Sequence, residues 1–86
     1  MPKVSEFFGI AIYFYYREHA PPHFHAVYGG DEAQVAVEDL RVLEGRLPPR
    51  PMGMVVEWAT LHRTELLQAW QRAAAHEPPG TIEPLR

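Results

Sequence analysis

Three of the five histidines in this 86-residue chain fall within the nine residues Arg17-Glu18-His19-Ala20-Pro21-Pro22-His23-Phe24-His25. Imidazole ligates metals, moves protons near neutral pH and anchors turns, so three of them this close together point to a site. Residues two apart on a strand share a face, which sets His23 and His25 side by side with Cα atoms about 6.5–7 Å apart. Two chemistries suit that spacing. The pair plus a third ligand from His19 or Glu18, or from His62 further along, would hold a zinc-like divalent ion with nitrogen and oxygen donors. Alternatively, one neutral and one protonated imidazole would act as base and acid across a scissile phosphodiester, using His23, His25 and either His19 or His62, with Arg17 or Arg63 neutralising the phosphate. A structural role competes with both. In it, His23 caps the turn after Pro22, His25 pairs across a hairpin, and Phe24 and Ala26 point to the core. The spacing His-x3-His-x-His is no helical zinc motif, and the prolines forbid a single helix through it.

Composition removes several other chemistries. The chain has no cysteine, which excludes disulfides, thiolate metal sites and a cysteine nucleophile, and suits a reducing compartment. Ser5 is the only serine, with no glycine elbow around it for a hydrolase triad. The net charge of −3 is unevenly spread: residues 1–39 carry two basic and six acidic groups, residues 40–72 five basic and three acidic. An acidic first half argues against a broad nucleic-acid surface, although Arg41, Arg46, Arg50 and Arg63 would form a local basic patch if the fold gathered them. The run Phe7 to Tyr16 is short, tyrosine-rich and without a small-residue cleavage site, so it reads as a strand and not as a signal-peptide core. No stretch approaches the roughly 18 apolar residues of a membrane span, and a cytoplasmic location is expected.

Periodicity divides the chain into a sheet and a helix. Ile10 to Tyr16 is apolar on both faces and reads as a central strand, broken by Ala20-Pro21-Pro22. A second strand runs from His23 to Tyr28, a hairpin follows at Gly29-Gly30-Asp31, and Ala33, Val35 and Val37 alternate with polar or small residues in a third. Leu40 to Leu43 reads as a fourth short strand ending at Gly45, and Val4 to Phe8 as an edge strand. After a proline linker over 47–51, the period changes to 3.6, predicting one long helix over 52–75 with Val55, Ala59, His62, Leu66, Ala69, Trp70 and Ala73 on its apolar side. Trp58 and Trp70 read as core or interface anchors, and His62 as a histidine within the apolar stripe that needs a partner. The expected fold is α+β: a small antiparallel β-meander of three to five strands (4–45) packed on one C-terminal helix, with an extended tail over 77–86, all in a single domain.

The segment Phe14 to Gly29, with its core Pro21-Pro22-His23-Phe24-His25, resembles the bacterial domain-of-unknown-function 4160 family. Met1 to Ile10, Leu43 to Arg50, Glu57 to Arg63, Glu65-Leu66 and Trp70 also look like family positions. The resemblance implies no activity. It does imply a protein partner, a second small protein of the domain-of-unknown-function 2442 type, in an arrangement similar to toxin and antitoxin pairs. A domain of this size gains little net stability from one core, so self-association is a further route to burying apolar surface. The expected function is therefore a small protein-interaction module, one half of a toxin-antitoxin-like or regulatory two-protein system. The alternatives are a histidine-dependent RNA-cleaving or metal-assisted hydrolase acting through His23, His25 and His62, and a metal-binding module without catalysis, with His19, His23 and His25 as ligands.

Overall fold

The computed structural model describes residues 2–16 and 18–86. Its elements in chain order are β1 (Lys3–Phe7), β2 (Ile10–Tyr13), β3 (His23–Tyr28), β4 (Asp31–Ala36), β5 (Val42–Gly45), α1 (Pro49–Leu61) and α2 (Arg63–Ala74). The strands pair antiparallel in chain order, so the expected meander has five strands. Phe7 faces Ile10 across a two-residue turn in which Phe8 and Gly9 have φ of 49° and 80°. Two consecutive positive φ values define the hairpin turn that matches strand twist, so Phe8 lies in the turn and not in the edge strand. The β2 ladder ends at Tyr13, short of the expected Tyr16. Its last β1 partner is Lys3, and the preceding Pro2 has no N–H to continue the ladder.

Register fixes which side chains share a face. Ile12 faces Ala26, Ala26 faces Ala33, and Phe24 faces Val35, and all are fully buried. The helices cover this face with Val55, Trp58 and Ala59 from α1 and Leu66, Ala69 and Ala73 from α2. Trp58 is the central anchor. Its ring lies 5.1 Å from that of Phe7 and 6.0 Å from that of Phe24, and its Nε1–H donates to the Glu83 carbonyl at 2.7 Å. Burying such an aromatic is among the largest single apolar contributions a domain of this size can make.

One long helix over 52–75 is corrected to two helices. The first begins three residues earlier, inside the segment expected to be a linker, because Pro49 sits in the first turn, where a missing N–H costs nothing. The break falls at His62, whose φ of −127° and ψ of 27° are not helical; it ends α1 and opens α2. The buried stripe nevertheless stays in phase from Val55 to Ala73, which is why periodicity alone reads through the break. The tail packs against the sheet: the Ile82 N–H donates to the Val4 carbonyl at 2.8 Å, covering part of the open β1 edge. Among the described residues, no helix is long and apolar enough to cross a membrane.

Candidate metal centre

His23 and His25 alternate with Phe24 and Ala26 on β3 and therefore project from the sheet face opposite the core. Both are nonetheless buried, at 5% and 4% exposure. Trp70 of α2 reaches the His23 ring at 5.1 Å, and Tyr15 covers the His25 ring at 4.1 Å. The two imidazoles lie 5.3 Å apart, centre to centre. Buried ring nitrogens need partners, and the partners define the chemistry.

Each ring is anchored through Nδ1. His23 Nδ1 lies 2.8 Å from the Pro21 carbonyl, and His25 Nδ1 lies 2.7 Å from Glu32 Oε2. Carbonyl and carboxylate oxygens only accept, so both Nδ1 atoms carry the proton and both Nε2 atoms are left as the outward-facing positions. These point at a single group. Glu18 Oε1 is 2.5 Å from His25 Nε2 and 3.5 Å from His23 Nε2. His23 Nε2 is buried and makes no hydrogen bond among the described residues. A bare nitrogen lone pair facing a carboxylate oxygen is repulsive, so a proton or a metal cation must stand between them.

The ligating atoms of Glu18, His23 and His25 all lie within 4.8 Å of one another, and these three residues form the metal-competent group among those described. Bonds of 2.0–2.1 Å in a tetrahedral zinc site place ligand atoms about 3.3 Å apart, close to the Glu18–His23 separation. The contacts behind them are of the kind that an outer shell gives metal-ligating histidines. An imidazole held through Nδ1–H by a carbonyl or carboxylate has its ring orientation and tautomer fixed, leaving Nε2 free to ligate. The contacts expected of a purely structural histidine pair, a capped turn and a cross-hairpin pairing, are thus present, and they prepare the opposite nitrogens.

The other sequence candidates lie apart from this group. His19 is exposed and lines a groove next to Glu18 and His23. His62 joins the two helices, where its Nδ1 pairs with Glu65 Oε1 at 2.5 Å and its ring lies 5.6 Å from that of Trp58. Its partner is a surface carboxylate one turn on, and it is not among the clustered ligand atoms. Arg63 lines a separate cleft with Pro21, Pro22 and Leu67. Arg17 lies outside the described residues. Glu32 is the participant sequence reasoning did not identify. The signal for it was the Gly29-Gly30 hairpin, which returns β4 alongside β3 and brings Glu32 beside Val27, within reach of His25. Burial raises the Tyr15 phenol above its ordinary pKa, and the negative charges of Glu32, Tyr13 and Glu18 add in the same direction.

Comparison with family models matches residues 9–71 of the chain to one described as Domain of unknown function (DUF4160). Comparisons with curated proteins and with solved structures return no match.

Proposed function

The chain belongs to the DUF4160 family, and we propose that it binds one divalent transition metal, zinc-like in its preference for nitrogen and oxygen donors. The ligands are Glu18, His23 and His25, with Glu18 taking the third place, for which the sequence offered His19, Glu18 and His62. One observation carries this reading: two buried imidazole Nε2 atoms converge on one carboxylate oxygen, and one of them lacks any hydrogen-bond partner among the described residues. Pro21 and Glu32 support it from behind the ligands. A cytoplasmic location belongs to the same proposal and is compatible with the absence of cysteine. Zinc titration of untagged protein tests it, with one equivalent bound by the native chain and none by H23A or H25A variants of unchanged circular dichroism. A folded native chain that takes up no zinc refutes it.

The interaction module is kept as a second reading, supported by apolar side chains left in water. Phe8 is 61% exposed and Leu61 67% exposed. A partner that covered either side chain would bury that apolar area. The partner the resemblance names, of the domain-of-unknown-function 2442 type, is the occupant proposed. Co-expression followed by light scattering tests it, and a stable monomer that captures no such partner counts against it.

A further inference from the structure

A cavity of about 520 Å³ lies at the opposite end of β3 from His23, with Phe8, Tyr28, Pro48, Arg50 and Met54 among its walls. Its volume falls in the roughly 300–1,000 Å³ range of small-ligand sites. Register and turn geometry build it. Tyr28 pairs with Ile10, directly after the Phe8-Gly9 turn, and its ring passes so near Gly9 that a Cβ there would lie 3.6 Å from the Tyr28 Cε1. Two aromatic side chains, 61% and 37% exposed, therefore border one cavity.

Stability does not explain Phe8. A bulky residue at positive φ is an outlier, and the first central position of this turn favours asparagine, aspartate or glycine. Backbone strain and an exposed ring thus coincide at one residue, and strain of this kind concentrates where a side chain serves a ligand. Arg50 is the one charged residue on the cavity walls, and it forms no ion pair among the described residues. Pro48 also borders the neighbouring groove, which holds Arg46 and Asp31. Of the four arginines that the sequence offered for a basic patch, the fold gathers these two, while Arg41 pairs with Asp39 and Arg63 lies in the cleft with Pro21.

Exposed aromatic rings beside unpaired guanidinium groups receive unstacked bases and their phosphates. We propose that this surface binds single-stranded nucleic acid, with a base against Phe8 and Tyr28, its phosphate at Arg50, and the strand continuing past Pro48 to Arg46. A free nucleotide would leave Arg46 unused. The net charge of −3 and the Asp31 carboxylate confine the contact to one or two nucleotides, because the chain has no broad basic surface to hold a duplex. This site does not depend on the metal centre.

The test follows the fluorescence anisotropy of a labelled short oligoadenylate with the full chain at low salt, with AMP and a duplex of the same length as competitors. The expected result is saturable binding of the single strand and weaker competition by AMP and by the duplex. F8N, which gives the turn a residue it prefers, should melt no lower than the native chain yet bind roughly 5- to 150-fold more weakly, the loss of one stacked base. R50Q should make the slope of log affinity against log salt shallower by about 0.7, the value of one phosphate contact on a single strand. A native chain that does not bind the strand overturns the inference. Native affinity in F8N, an unchanged salt slope in R50Q, or AMP or duplex competing as well as the strand also overturns it. Capture of a protein partner that F8N abolishes, without any oligonucleotide binding, assigns the surface to that partner instead.

Discussion

Glu18 Oε1 stands 3.5 Å from His23 Nε2, close enough to share a cation and too poorly placed to share a hydrogen bond. The same oxygen is 2.5 Å from His25 Nε2, nearer than two ligands of one tetrahedral ion can approach. Metal binding therefore requires Glu18 to back away from His25 by a little under 1 Å while keeping its distance to His23. Glu18 sits in the loop before β3, with its side chain 25% exposed, so it is the ligand free to make that adjustment. Replacing it with glutamine removes one of the three proposed ligands and leaves the core untouched. We expect zinc affinity to fall by more than the roughly 10–100-fold typical of outer-shell losses, with thermal stability of the metal-free protein nearly unchanged, as calorimetric titration and melting curves would show.

Glu32 acts one bond further out. Its carboxylate accepts a hydrogen bond from the His25 Nδ1–H and fixes the tautomer and orientation of the ring. In E32Q, zinc affinity is expected to drop about 10–100-fold while the stoichiometry stays at one. Isothermal titration separates this from loss of a ligand, and unchanged affinity would assign the Glu32 contact to hairpin stability alone.

Gly45 is needed for a backbone reason at the same residue, Glu32. It adopts φ of 74°, and a Cβ there would run into the Glu32 backbone carbonyl. In G45A, both the strained φ and the collision act, costing roughly 1–3 kcal/mol. The β4–β5 pairing that holds Glu32 loosens with it. Chemical denaturation should show the loss, and zinc titration should show weaker binding than in the native chain.

Tyr15 offers a pH readout. Burial, with help from the Glu32, Tyr13 and Glu18 charges, raises its pKa, so the folded state holds the phenolic proton more tightly than the unfolded state does. Its contribution to stability is complete below the ordinary phenol pKa of about 10 and is lost as pH rises through the higher folded value. Ultraviolet titration of native protein against Y15F should resolve one phenol ionising above the ordinary range. A Tyr15 that titrates at or below that range contradicts the packing described.

Ligand-linked stabilisation gives a fifth expectation in a form that needs no variant. Metal bound to the native state alone adds about 2.7 kcal/mol at a hundredfold excess over Kd. For a chain of this length, that raises Tm by roughly 10–20 °C. Because a cation replaces the proton between imidazole and carboxylate, the gain should shrink as pH falls. Scanning calorimetry with and without zinc at two pH values checks both statements.

Alternation and turn residues made most of the sheet legible before any coordinates. The Gly29-Gly30 hairpin and the strand from His23 to Tyr28 lie where their residues place them. The break at His62 was not legible, because Leu61-His62-Arg63 contains no proline or glycine and the buried stripe keeps its phase across it. The start of α1 was hidden for the opposite reason, since prolines that suggest a linker are equally at home in a first helical turn. At the site, period two placed His23 and His25 together, but a loop has no period. Whether Glu18 or His19 turned inward depended on the path between Tyr13 and His23, and Glu32 depended on strand register.

X-ray absorption at the zinc edge of untagged, singly loaded protein tests the central claim most directly. Two imidazole nitrogens and one carboxylate oxygen at about 2.0–2.1 Å, with one further light scatterer in the fourth position, are predicted. A first shell without imidazole scattering, or with the octahedral oxygen shell of hydrated zinc, would contradict the site formed by Glu18, His23 and His25.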